Sequence, residues 1–195
     1  MRVDDWLARA AEALPDRPAL VAGETLLSFA ELERDARATA RRVAAAGVRR
    51  GDRVALTAEP TADSAVLLHA LTKVGAVAVP VDPRAPARAV DALLARVDPK
   101  LVVVDPAELT AGPDAPEADL GTDFDTDAIH CLIHTSGTAG EPTGVELTYG
   151  NHLWSAIGAG VRIGVAPTDR WLCCMPVHHI GGLSIVLRCA VAGQH

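Results

Sequence analysis

The sequence predicts an α/β fold, with layered βαβ units on largely parallel sheets. Two observations carry this. Short apolar runs rich in valine, at 53–57, 76–81 and 101–105, alternate with helical patterns, which is the rhythm of strand–helix–strand crossovers. Several of the helical patterns also bring their own start and stop residues.

The first of these helices opens at Ser28-Phe29-Ala30-Glu31. This is a capping box, in which the serine hydroxyl accepts from the backbone N–H of the glutamate and the glutamate reaches back. Leu32, Ala36, Ala40, Val43 and Ala44 recur at helical spacing, and Gly47 ends the run. Arg50-Gly51-Asp52 turns into an extended run at 53–57. A second helix is expected over 62–74, closed by Gly75. A strand follows at 76–81, where Pro80 suggests a strand end or a sheet edge because it has no N–H to give a ladder. A helix over 87–97 and a strand over 101–105 complete the series.

Residues 106–127 break the pattern with three prolines and seven acidic residues. They read as a solvated acidic connector within the domain. A strand is expected at 128–134, then a glycine-rich loop, a helix around 151–163, a short strand at 171–175 and a last helix from about residue 180. On an ordinary strand His130 and His134 face one side and serve packing or a pocket lining.

Composition narrows the function. The 195 residues carry 25 Asp+Glu against 18 Lys+Arg, a net charge of −7, which is the wrong sign for replacing phosphate counterions along a nucleic acid. No apolar run approaches the ~20 residues of a membrane-spanning helix. The start has two early acids and no signal-like apolar stretch, so a cytoplasmic location is expected. Four cysteines are too few for a disulfide scaffold at this length.

The segment richest in chemistry is Thr135-Ser136-Gly137-Thr138-Ala139-Gly140-Glu141-Pro142-Thr143-Gly144, directly after a strand. Its glycines allow close backbone approach, and successive N–H groups with hydroxyls can make an anion-binding concavity. It matches neither G-x-x-x-x-G-K-[ST] nor G-x-G-x-x-G. On residue types alone it reads equally as a polyphosphate cradle or as a surface turn.

The run T-S-G-T-A-G-E-P-T-G-V from Thr135 to Val145 resembles the phosphate-loop signature [ST]-S-G-[ST]-T-G-x-P-K-G-V of the adenylate-forming, AMP-binding superfamily. R-R-G-D-R-V-A-L and G-A-V-A-V-P-V-D-P resemble the opening of that superfamily's large domain. Met175-Pro176-Val177-His178-His179-Ile180-Gly181-Gly182-Leu183 resembles its next motif, where a histidine sits at the mouth of the acyl pocket. Tyr149-Gly150-Asn151-His152 and Arg170-Trp171-Leu172-Cys173-Cys174-Met175-Pro176 are most similar to the o-succinylbenzoate–CoA ligases of menaquinone biosynthesis.

The resemblance implies the N-terminal part of the large domain of an adenylate-forming enzyme, an AMP-forming acid–CoA ligase. Its implied substrates are a small-molecule carboxylate, ATP with Mg2+, and coenzyme A. The carboxylate first forms an acyl-adenylate, and the coenzyme A thiol then displaces AMP. By the same resemblance Thr135, Ser136, Gly137, Thr138, Ala139, Gly140 and Thr143 hold ATP phosphates. His179, Gly181 and Gly182 shape the acyl pocket, though a histidine packed at a turn into a helix remains the alternative for His179. Cys173, Cys174 and His178 lack the usual ligand spacing of a metal site, and none is expected there. Other implied readings are a ligase or adenylation domain for a different carboxylate, or a non-catalytic nucleotide-binding remnant.

Two departures bear on these expectations. Thr143 stands where the family has lysine, Ala139 stands for a threonine, and no Lys or Arg occurs between residues 101 and 161. The sequence also stops before the family's Y-G-x-T-E segment, its later aspartate and its small C-terminal domain with the adenylation lysine. Residues 1–195 are therefore expected to be an incomplete N-terminal AMP-binding domain that catalyses neither half-reaction alone.

Overall fold

The computed structural model describes residues 1–135, 143–166 and 168–195. In chain order the elements are β1 (Arg2–Asp4), α1 (Trp6–Ala13), β2 (Pro18–Ala22), β3 (Thr25–Ser28), α2 (Phe29–Ala45), β4 (Arg53–Thr57), α3 (Ala62–Val74) and β5 (Val77–Val81). They continue with α4 (Ala87–Val97), β6 (Leu101–Val103), α5 (Pro106–Thr110), β7 (Asp123–Asp125), β8 (Ile129–Thr135), β9 (Thr143–Thr148), α6 (Tyr149–Ile163) and α7 (Ile180–Ala192). The main sheet has the order β6-β4-β5-β8-β9. Its first four strands are parallel and β9 runs antiparallel to β8, so the largely parallel α/β sheet expected from the sequence is present.

The local signals act as written. Ser28 Oγ accepts from Glu31 N at 3.2 Å while Glu31 Oε2 accepts from Ser28 N at 2.8 Å. Gly75 closes α3 at φ +74, in the left-handed region where a side chain is strained. α6 begins with a second capping box, Thr148 with Asn151. Side chains alternate across the sheet: Val54, Leu56, Ala78, Cys131 and Ile133 pack with α2, α3 and α7. Ala55, Val77, Val79 and Leu132 pack on the opposite face, toward α4. A second core joins α1, α2, α6 and α7 around Trp6, Phe29, Phe124 and Tyr149.

Three expectations need correction, and one open alternative is decided. β5 lies between β4 and β8, so Pro80 marks a strand end and not a sheet edge; the pairing with β8 is at Ala78↔Cys131, short of the proline. Residues 106–127 are not wholly a connector, because α5 lies within them and β7 pairs antiparallel with β1. Arg42 ties this segment to α2 by donating to the carbonyls of Thr110 at 2.7 Å and Pro113 at 2.9 Å.

Residues 171–175 form no strand. Trp171 instead donates its N–H to His195 O and its Nε1 to Gln194 Oε1. Finally, His130 and His134 do not share a face. An irregularity in the β8–β9 pairing between Ile129 and Cys131 turns His130 toward Thr72 of α3, whereas His134 stands beside Leu132 over Gly144 on the α4 side. A bulge breaks the two-residue alternation on which that reading depended. Among the described residues no helix is long and apolar enough to cross a membrane.

Candidate functional site

Ligands of open α/β sheets bind outside the carboxyl ends of the parallel strands, and two of the sequence motifs reach that rim. β8 ends at Thr135, and its neighbour β5 ends at Val81, directly before Asp82.

The glycine-rich loop leaves from β8 and returns as β9. Its two limbs are held together by the register Thr135↔Thr143 and by the Thr135 hydroxyl, which donates to Thr143 O at 3.3 Å. Both threonines are exposed. Ser136, Gly137, Thr138, Ala139 and Gly140 lie outside the described residues. At Gly144 an added Cβ would meet Leu132 Cδ1 at 3.0 Å and His134 Nε2 at 3.2 Å, so these two side-chain ends close over the glycine.

The second motif forms the turn into α7. His179 is the exposed residue at the helix N-cap, and its own N–H donates to Pro176 O at 3.1 Å. Gly182 packs on the turn so closely that a Cβ would lie 2.4 Å from Met175 O and 2.5 Å from Pro176 O. At Gly181 the nearest atoms are the flexible end of Met175, at 2.8 Å and 2.9 Å.

His178 points inward. It is buried, with Nε2 3.5 Å from Asp82 Oδ2, and its ring centroid is 4.3 Å from that of His179. Burial holds the His178 pKa below the ordinary histidine value, helped by His179 and Arg84 and opposed by Asp82. Asp82 is itself held below the usual carboxylate range, first by the hydrogen bond from Arg84 N at 2.9 Å and also by the Arg84 guanidinium. The motif singles out His179; the His178–Asp82 contact was not legible, because it joins positions nearly a hundred residues apart.

This rim offers neutral donors at the loop root, one carboxylate beside one cation at Asp82 and Arg84, and an imidazole pair. Such a set suits an anionic ligand held by backbone and hydroxyl groups, with a second, smaller group near the histidines.

Sequence spacing pointed to no metal site. The fold nevertheless brings one set of ligand types together below the rim: His130, Cys131 and His152, one donor atom from each within 4.8 Å of the others. Burial lowers the His152 pKa to about 4 and pushes the Cys131 thiol up to about 12. The adjacent Cys173 and Cys174 are free thiols, Cys174 exposed.

Comparison with known proteins bears on the whole arrangement. A 2-succinylbenzoate–CoA ligase of Bacillus cereus is 34% identical over 205 residues, an overlap that covers 97% of this chain and 42% of the relative. A ligase of the same description from a Geobacillus species is 32% identical over 207 residues and is likewise covered for 42% of its length. The chain thus spans less than half the length of these relatives. Among solved structures, the O-succinylbenzoate coenzyme A synthetase of Bacillus subtilis in complex with AMP superposes with a TM-score of 0.93 at 28% identity, over 100% of this chain and 55% of that one. The same enzyme in complex with ATP and magnesium ion gives 0.92 at 27%, over 100% and 56%. The AMP-binding enzyme family matches residues 7–195. With that match over nearly its whole length, on a sheet whose β8–β9 hairpin carries the signature loop, the chain belongs to the AMP-binding enzyme family.

Proposed function

We propose that this chain is the N-terminal portion of an ATP-dependent acid–CoA ligase, and that its carboxylate is o-succinylbenzoate. The observation that carries the reading is the overlap of the entire chain, at a TM-score of 0.93, with an o-succinylbenzoate synthetase holding AMP. The relatives that are 32–34% identical bear the same activity in their names.

In this reading Thr135 to Gly140, with Thr143, cradle the ATP phosphates through backbone N–H groups and hydroxyls. A carboxylate is a poor electrophile, so activation needs its oxygen aligned with the α-phosphate and the developing charge stabilised. Mg2+ across the phosphates supplies positive charge that this loop lacks, since Thr143 occupies the lysine position. His179, at the exposed N-cap of α7, borders the carboxylate, and Gly181 and Gly182 shape that wall by letting α7 pack closely on Met175 and Pro176. Coenzyme A enters in the second half-reaction, where its thiol displaces AMP; the named relatives are called CoA ligases. The reading places the enzyme in the cytoplasm, acting on small molecules and not on nucleic acid.

The test is a polypeptide in which these residues are followed by the remaining half of the domain and the small C-terminal domain. We expect pyrophosphate release to depend on o-succinylbenzoate and to be at least tenfold slower with benzoate or fatty acids. Equal rates on all acids overturn the substrate assignment.

A second reading, a non-catalytic nucleotide-binding protein, is favoured by Thr143 alone. It predicts ATP binding with no pyrophosphate release on any acid.

A further inference from the structure

The three side chains gathered under the rim do nothing in the proposed ligase chemistry, and their arrangement is unusual for a hydrophobic core. His130 and Cys131 are sequence neighbours that a regular strand would send to opposite faces. The bulge between Ile129 and Cys131 brings both to the α3–α6 side of β8. His152 of α6 meets them there, with Nε2 3.4 Å from Cys131 Sγ and its ring centroid 4.8 Å from that of His130 at an interplanar angle of 77°. Atoms sharing one small ion at about 2.0–2.3 Å lie about 3.5 Å apart. The cysteine–histidine pair already has that separation, and side-chain rotation of about 1 Å closes the rest.

A second observation concerns the proton on His130. The Thr72 hydroxyl donates its only hydrogen to Leu68 O at 3.0 Å. With that hydrogen committed to Leu68, the 3.0 Å contact between Thr72 Oγ1 and His130 Nε2 is donated by the histidine. In that tautomer Nε2 carries the hydrogen and Nδ1 a bare lone pair. That Nδ1 is buried and has no hydrogen-bond partner among the described residues. Buried acceptors left unpaired are uncommon and ask for a reason. A histidine with one nitrogen bare and the other donating to a fixed oxygen is in the state that metal-ligating histidines adopt.

We propose that His130, Cys131 and His152 form a three-coordinate site for a soft monovalent cation, Cu(I), and that Thr72 is the positioning residue that orients His130. Charge selects the ion. One thiolate and two neutral imidazoles sum to −1, so Cu(I) gives a neutral assembly in a dry place. Zn(II) leaves a buried positive charge and an unfilled fourth position. Thiolate softness favours the same ion. On binding, the Cys131 S–H bond breaks, a Cu–S bond forms and one proton leaves to solvent, with no change of oxidation state. This inference stands apart from the ligase reading, because it uses no residue of the loop or of the His179 turn.

The experiment uses the full 195-residue chain carrying Cys173→Ser and Cys174→Ser, which removes the more accessible thiols. Under anaerobic conditions it is titrated with Cu(I) against a chromophoric Cu(I) chelator. We expect one equivalent retained, and X-ray absorption at the copper edge showing one sulfur and two nitrogen neighbours. Cys131→Ser and His152→Gln should each weaken retention at least a hundredfold, and Thr72→Val ten- to a hundredfold. Thr72→Val conserves shape, so it keeps the test open should either ligand variant fail to fold. Three results overturn the proposal: no retained copper, two sulfur neighbours, or preferential retention of Zn(II) in the same competition.

Discussion

Lys73 Nζ lies 2.6 Å from Asp5 Oδ2, joining the last turn of α3 to the N-cap of α1 through two side chains that are 1% and 3% exposed. Glu33 Oε2 of α2 approaches the same ammonium at 2.5 Å. Asp5 has a second task, since its Oδ1 accepts from Leu7 N and Ala8 N. One buried cation therefore pins three helices together. Removing it leaves the buried Asp5 carboxylate with no counter-charge, only its two backbone donors, and leaves Glu33 to Arg37 alone. Lys73→Met should cost about 3–5 kcal/mol in urea unfolding. Asp5→Asn, which keeps the capping oxygen, should cost less than Asp5→Ala.

The turn into α7 distinguishes two adjacent glycines. Alanine normally improves a helix interior by ~1 kcal/mol over glycine. At Gly182 the new methyl would meet backbone carbonyls 2.4 Å and 2.5 Å away, which cannot rotate aside, so overpacking of about 1–3 kcal/mol should win. At Gly181 the obstacle is the end of Met175, which can move. Thermal unfolding should rank Gly182→Ala clearly below Gly181→Ala.

The loop's missing cation gives a functional prediction. A charge-assisted contact contributes on the order of 1.5–3 kcal/mol. In the complete ligase, Thr143→Lys should lower the KM for ATP about tenfold and relax its dependence on Mg2+ concentration. Initial rates across ATP and Mg2+ concentrations measure this, and an unchanged KM removes Thr143 from the phosphate site.

Stability should fall with acid before the carboxylates begin to titrate. Burial, with help from Lys73, lowers His69 to about 4, and His130 and His152 are likewise lowered by burial. Above the unfolded histidine value near 6.5 these groups are neutral in both states and add no pH dependence. Below it the unfolded chain takes up protons that the folded chain refuses, so stability drops down to about pH 4. For His69 alone the loss is on the order of 3 kcal/mol. Urea midpoints between pH 7.5 and 5 should decline, and His69→Gln should flatten the decline by about one proton's share. A flat profile would show that the buried imidazoles do not resist protonation.

The helices and the parallel core were readable because their instructions are local. Ser28 with Glu31 states where α2 begins, and Gly75 states where α3 stops. What escaped was settled at long range. β1 pairs with β7 across more than a hundred residues, and neither three-residue segment has a pattern of its own. The apolar run at 171–175 resembles a strand, but Trp171 finds its partners at residues 194 and 195 and joins no sheet. The loop and the His179 turn were legible as motifs. The contact between His178 and Asp82 was not, because the fold alone brings together residues separated by α4 and the whole acidic segment.

The extra residue in β8 acts as a swivel along a single strand. Above it, residues 131–135 keep a steady ladder with β9 and deliver the loop to the rim. At it, His130 turns to the same inward side as Cys131, the first residue of that ladder. Substitutions at this point can therefore change what the interior holds while the stretch above goes on presenting the same hairpin. One strand thus serves two masters, and mutation at positions 130 and 131 should leave the geometry at Thr135 and Thr143 undisturbed.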